Sequence, residues 1–307
     1  MTLLVQRIIQ RIRLSISNDL QNLKFLLGQN SILISRSMSE KFVNLWDAEV
    51  KVFSQWGEDG ILDFLCERIG LTKPRVLEIG AGNFTECNSR FLAENRNASV
   101  VLVDGRKDLV VNVNSSSLKW KTHIFAIEEW ITSQNINTII KSAKSMIGKL
   151  DILSIDLDGN DYWIVEAADL TEIKVIVVEY NPLFGSDFAV SVPSDDNFDR
   201  ATSHYSYLYY GASLKAFNHI LNQKGFIFMG SNRVGNNAFF VRQEIVEEIK
   251  LKVPVDLSIY TDWRIRESRN ISGKLNYISG SNRLAEIKDL PLKDVINRID
   301  IKVLDLI

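Results

Sequence analysis

The segment Val76-Leu77-Glu78-Ile79-Gly80-Ala81-Gly82-Asn83-Phe84 runs from apolar residues through an acid into a Gly-x-Gly pair. Glycines at such a turn let the backbone bend sharply and let a ligand come close. A dinucleotide fingerprint places a third glycine three residues after the second, and Thr85 stands there instead. A ligand without phosphates therefore suits this turn better than a pyrophosphate. Asp104 closes the next apolar run, 22 residues beyond Gly82. An acid about 20 residues on can bond the hydroxyls of a ribose.

A second constellation is acidic. Asp156, Asp158 and Asp161 fall together just past the apolar run Asp151–Ile155, and Glu179 and Asn181 end the run that follows. Carboxyl ends of adjacent strands in a doubly wound sheet open on one crevice, so these groups can converge. Two readings stay open. Asp156, Asp158, Glu179 and Asn181 form an oxygen-only set that suits Mg²⁺ or Ca²⁺, and a metal there would acidify a bound hydroxyl. Alternatively, Asn160 or Asp161 caps the helix starting at Tyr162, and the remaining acids bond a cofactor amine and a substrate hydroxyl. No Ser-His-Asp, Cys-His or Cys-x-x-Cys arrangement is present, so a hydrolase or a zinc site has no support.

These residues need elements to hold them. Apolar runs at 75–79, 99–103, 151–155 and 174–179, with a weaker one at 121–126, alternate with helical patterns at 60–69, 84–95, 133–147, 161–169 and 211–223. Short Val/Ile/Leu-rich strands between helices argue for a parallel sheet buried on both faces. Runs at 225–229 and 237–241 lack an intervening helix, which predicts an antiparallel hairpin at the sheet edge. The loop 184–203 is long and carries Asp187, Asp195, Asp196 and Asp199. It reads as a cover for a polyhydroxylated substrate.

The chain has 307 residues, 46% apolar, with a formal charge of −2. Near-neutrality excludes a general electrostatic grip on nucleic acid. Two cysteines cannot build a disulfide framework and fit a reducing, cytoplasmic setting. Residues 1–50 read as an N-terminal helical extension, 51–243 as the core and 244–307 as a helical closing segment. Met1–Asn18 carries Arg7, Arg11 and Arg13, no acid, and apolar residues at helical spacing. This amphipathic helix packs on the body or a sister subunit of a homo-oligomer, lies on an anionic membrane surface, or serves as an organelle transit peptide.

The order Glu78-x-Gly80-x-Gly82, then Asp104 and Asp156 at strand ends, resembles the class I S-adenosylmethionine-dependent methyltransferases. Four further segments resemble the FkbM-like methyltransferases, many of which O-methylate sugars: Phe53-Ser54-Gln55-Trp56-Gly57-Glu58-Asp59-Gly60-Ile61, the run from Leu153 to Tyr162 (LSIDLDGNDY), Val178-Glu179-Tyr180-Asn181-Pro182, and Tyr210-Gly211-Ala212-Ser213-Leu214. The resemblance covers about 50–243 and extends weakly through Arg283–Val295. It implies an α/β fold with a seven-stranded, mostly parallel Rossmann-like sheet and an antiparallel edge strand. It also implies S-adenosylmethionine as cofactor. Glu78, Gly80 and Gly82, with Asn83 beside them, would line its methionine and ribose part. Asp104 would hold the ribose hydroxyls and Gly105 would admit the adenine edge. Gln55 and Glu58 would cover the cofactor, and Asp156 would face its amino group or the acceptor. Transfer to a hydroxyl also needs a proton acceptor, for which Asp158, Glu179 and His204 are candidates. His123 and His219 read as structural. The expected partner is a small-molecule or glycan acceptor. A nicotinamide-dependent oxidoreductase and a non-catalytic scaffold of the same fold are the competing classes.

Overall fold

In the computed structural model of the chain, residues 3–249 and 264–307 are described. The elements in order are α1 (Leu3–Met38), α2 (Glu58–Arg68), β1 (Arg75–Ile79), α3 (Arg90–Arg96), β2 (Ser99–Asp104), α4 (Asp108–Ser115), β3 (Ile124–Glu128), α5 (Ile136–Ile147), β4 (Ile152–Ile155), α6 (Asp161–Ala167), β5 (Val175–Glu179), β6 (Val190–Ser191), α7 (Arg200–Ser203), α8 (Leu214–Gln223), β7 (Phe226–Ser231), β8 (Asn237–Arg242), α9 (Gln243–Ile249), α10 (Ser281–Glu286), β9 (Pro291–Asp294) and β10 (Ile299–Lys302).

β1, β4 and β5 are apolar almost throughout because both faces of the sheet are covered. One core holds Leu77, Val101, Leu153 and Ile176 with apolar residues of α5, α6 and α8. The other holds Val76, Val100, Leu102 and Ile152 with α2, α3 and α4. The sheet order is β3-β2-β1-β4-β5-β8-β7. The first five strands run parallel, and β8 is antiparallel to both β5 and β7. This is the Rossmann-like sheet of the class I methyltransferase fold. Successive strands leave β1 on one side through β2 and β3, then return to its other side with β4. The switch point therefore lies between β1 and β4, where ligands bind in open α/β sheets.

Three sequence expectations are corrected. The helix expected over 84–95 begins only at Arg90. Phe84 adopts a positive φ of 71°, and the Glu78 carboxylate accepts the N–H groups of Asn88 and Ser89. Residues 82–89 are thus held as turns. The strand expected over 121–126 begins at Ile124, because Thr122 still bonds back to Leu118 in the preceding 3₁₀ turn. The closing segment is not helical throughout. β9 and β10 form a hairpin, and β9 pairs with β6 from the 184–203 loop. Phe184, Val190, Leu208, Leu292 and Val303 bury a small separate core there. The β9–β10 hairpin is local in sequence, and pairing with β6 across the chain extends it to a three-stranded sheet. Residues 250–263 of the same segment lie outside the described residues.

α1 lies along α2 and α3. Phe25 and Ile32 pack with Val52, Phe53 and Phe91, and Arg36 pairs with buried Asp63 at 2.9 Å. The side chains of Arg7, Arg11 and Arg13 lie outside the described ones. Among the described residues, no helix is long and apolar enough to cross a membrane.

Candidate functional site

Gly80 and Asp156 follow the paired residues Ile79 and Ile155 at the ends of β1 and β4. A Cβ on Gly80 would lie 1.6 Å from the Asp156 carbonyl oxygen, and its φ is +82°. The close approach of the two chains thus requires glycine. Nothing would stand within 4 Å of a Cβ on Gly82, so this residue leaves open space at the switch point. Its N–H donates to Asp104 Oδ2 at 2.7 Å, and Arg106 N–H donates to Oδ1 at 2.8 Å. The turn and the carboxylate are therefore fixed together.

They border a cavity of about 310 Å³, which Gly105, Trp130, Asp156 and Asp158 also line. The Trp130 ring lies against Gly105, where a Cβ would be 2.8 Å from its Cε3. Trp130 Nε1 donates to the Asp196 carbonyl at 2.6 Å. Asn160 bonds Asp195 through both its amide nitrogen and its oxygen. Phe198 sits on Gly159, where a Cβ would be 2.1 Å away. The long acidic loop is thus clamped over the strand ends.

A second cavity of about 410 Å³ adjoins the first and shares Trp130, Leu157, Asp158 and Phe198 with it. Its further walls include Asp199, Arg200, Tyr207 and Glu267. Asp158 stands at the junction, exposed and at a positive φ of 55°. Arg200 donates to it through Nη1. The same guanidinium stacks on Tyr210 at 3.8 Å and donates from Nε to the Tyr207 carbonyl at 2.9 Å.

Asp156, Asp158 and Glu179 each offer a carboxylate oxygen within 4.8 Å of the others. Asp156 reaches the first cavity. Glu179 is buried behind it and lines neither cavity. Burial, then the neighbouring acids, pushes both carboxyls well above the usual carboxylate range, and the two are hydrogen-bonded. The pair retains a proton where exposed carboxyls have lost theirs. Glu179 Oε2 is buried without a hydrogen-bond partner. Asp161 Oδ1 and Oδ2 accept the N–H groups of Leu157 and Gly159 at 2.8 and 2.9 Å. Burial pushes its carboxyl to about 6 against those bonds.

The Glu179 shift has a consequence for stability. A carboxyl whose folded value is raised contributes most below its unfolded value, and that contribution is lost as pH climbs toward the folded value. Glu179→Gln removes this cost. The variant is expected to match the wild type in thermal melting near pH 5 and to exceed it by several degrees at pH 8. A pH-independent difference in melting temperature would contradict the shift.

The other expected site residues are placed as follows. Glu78 spends both oxygens on Asn88 and Ser89 rather than on the cavity. Asn83 Oδ1 accepts the Thr85 N–H at 3.0 Å. Gln55 is exposed and lines neither cavity. Glu58 is buried and ties its own turn, through Trp56 and Gly57 N–H, to Asn232 and Asn237 of the β7–β8 hairpin. Asn181 donates to the carbonyls of Leu208 and Tyr210 at 3.0 and 2.9 Å and accepts the Leu183 N–H. His204 contacts Ser206 and the Tyr205 ring, and lines neither cavity.

The oxygen set does not suit a divalent ion as it stands. The Asn181 amide is occupied elsewhere, Asp156 and Glu179 are bonded to each other, and Asp158 already faces the Arg200 guanidinium. Trp130, Arg200 and Phe198 are the site residues that sequence reasoning missed. Trp130 follows β3 without a motif, and Arg200 reaches Asp158 from 42 residues away.

No family model matches the chain, and no curated protein matches it. Solved structures do. The N-terminal domain of EvdMO1, solved with SAH bound, is similar at 11% identity and TM-score 0.40, over 68% of this chain and 93% of that one. A putative caffeoyl-CoA O-methyltransferase from Staphylococcus aureus is similar at 13% identity and TM-score 0.41, over 72% and 98%. An S-adenosylmethionine-dependent methyltransferase from Clostridium acetobutylicum is similar at 11% identity and TM-score 0.38, over 66% and 98%.

Proposed function

We propose that this chain is an S-adenosylmethionine-dependent methyltransferase acting on a hydroxyl of a sugar or sugar-like acceptor. The observation that carries the reading is the pair of adjoining cavities at the β1–β4 switch point, which meet at Asp158. The first joins an open glycine turn to a strand-end carboxylate, and the second joins aromatic rings to acids. The FkbM-like resemblance of the motifs points the same way.

Bound S-adenosylmethionine supplies an already activated methyl group. The chain's work is therefore mostly alignment. The Asp104 carboxylate keeps lone pairs beyond its two backbone bonds and would accept from ribose hydroxyls. Gly82 leaves the room, and Trp130 and Gly105 shape the slot beside it. In the second cavity, Phe198, Trp130 and Tyr207 offer apolar ring faces, and Asp199 and Glu267 accept from hydroxyls. Asp158 accepts the hydrogen bond of the acceptor hydroxyl. The Arg200 charge holds Asp158 in place, and the protonated Asp156–Glu179 pair limits the negative charge beneath it.

The test is calorimetric titration of S-adenosylhomocysteine into the purified chain, followed by a methyl-transfer assay over a panel of glycosides, with and without EDTA. Micromolar binding and EDTA-insensitive turnover on a glycoside are expected. Absence of binding, with NADH binding in its place, would replace this reading by the oxidoreductase one.

A further inference from the structure

α1 carries apolar residues on two faces. One face meets the body: Phe25 lies 6.5 and 5.9 Å from the Phe53 and Phe91 rings, and Ile32 is buried. Gly28 lies on Val52, where a Cβ would be 2.4 Å from Cγ2. The other face is open. Ile16, Leu20, Leu23, Leu26, Leu27, Leu33, Ile34 and Met38 are each between 47% and 61% exposed. A helix apolar all round is normally a buried one.

The open face has a defined spacing. Ile16, Leu20, Leu23, Leu27, Asn30 and Ile34 alternate steps of four and three, which is the spacing of a coiled-coil seam. Leu26 and Leu33 widen it on one side and line, with Asn30, a groove of about 250 Å³. The open area of these side chains is on the order of the ~800 Å² that one partner gives to a stable interface. It exceeds the roughly 300–600 Å² of the largest apolar patch on an ordinary monomer.

We propose that α1 is a dimerisation helix: two copies of this chain join through residues 16–37 as a parallel, in-register seam in which Asn30 meets the Asn30 of the second copy. The Asn fixes the orientation. In a parallel seam its amide faces an identical amide and both can be bonded, whereas an antiparallel seam sets it against a leucine and buries it unpaired. A lipid surface suits this stretch less well, because interfacial helices rely on Lys and Arg for anionic headgroups. Between 15 and 38 only Lys24 and Arg36 are cationic. Arg36 is paired with Asp63, and Lys24 lies 5.6 Å from the Phe53 ring on the body face.

The test is sedimentation of the full chain at micromolar concentration. The wild type is expected at twice the chain mass. Leu20→Glu combined with Leu27→Glu is expected to raise the dimer dissociation constant by about 100-fold or more, with unchanged circular dichroism. A second variant does not depend on tolerating buried charge. Both native cysteines are buried, so Asn30→Cys adds the one exposed thiol among the described residues. Mild oxidation is expected to give a disulfide-linked dimer with Asn30→Cys and not with Asn22→Cys, which is exposed but off the seam. A monomeric wild type, a dimer indifferent to the paired glutamates, or cross-linking at Asn22 alone overturns the proposal. So does a monomer that floats with phosphatidylserine vesicles, which would make the face a membrane surface.

Discussion

Asp158→Asn is expected to slow methyl transfer by roughly 10²- to 10³-fold while leaving S-adenosylhomocysteine affinity within a factor of a few. The magnitude is that of losing a positioned proton acceptor or orienting carboxylate. The asymmetry follows from its place. Asp158 stands where the two cavities meet and touches the far one through Arg200, whereas the turn at Gly82 is tied to Asp104. The substitution leaves the side chain isosteric but removes the charge opposite a largely buried guanidinium. A small loss of stability is therefore expected alongside. Comparing the Kd by calorimetry with the single-turnover rate separates the two. An unchanged rate would remove Asp158 from the reaction, and a Kd that rises in step with the fall in rate would place it on the cofactor instead.

Asp104→Ala is expected to weaken S-adenosylhomocysteine binding by roughly 10- to 150-fold, the equivalent of about 1.5–3 kcal/mol for a hydrogen bond to a charged group. The same carboxylate holds the Gly82 and Arg106 amides at 2.7 and 2.8 Å, so the variant also loosens the turn. Asp104→Asn tells the two effects apart. It can still accept from one amide but turns an N–H₂ toward the other and carries no charge. It is expected to lose most of the affinity with a smaller fall in melting temperature than the alanine variant. If either variant binds S-adenosylhomocysteine as tightly as the wild type, Asp104 does not hold the cofactor.

The two variants probe different halves of one crevice, and the halves were not equally legible. The cofactor side follows from local pattern. Near-continuous apolar runs at β1, β2, β4 and β5 require burial on both faces, hence a parallel sheet with helices on either side. The Gly80–Gly82 turn and Asp104 follow from spacing along a single β-α-β unit. The hairpin of β7 and β8 follows from the missing helix between them. Glu78 was misplaced within that same unit. Its carboxylate turns to the start of α3 rather than to the cavity, because the turns over 82–89 bring Asn88 and Ser89 back to it.

By itself, then, the sequence determined the layers and the acids at the strand ends, since each depends on periodicity and spacing along short stretches of chain, whereas the switch point is set by β1 pairing with the distant β4. Only the tertiary structure decided how those acids divide their work. Asp156 reaches the cavity, Glu179 lies behind it as a proton-sharing neighbour, Asn181 is spent on the carbonyls of Leu208 and Tyr210, and His204 lines neither cavity. Arg200, Trp130 and Phe198 arrive from loops and elements far along the chain, and the β9–β10 hairpin joins β6 from much earlier in the sequence. Strand-end side chains differ by one residue in which way they point, and a loop's reach depends on what it packs against. Both are properties of the folded path, which no local spacing encodes.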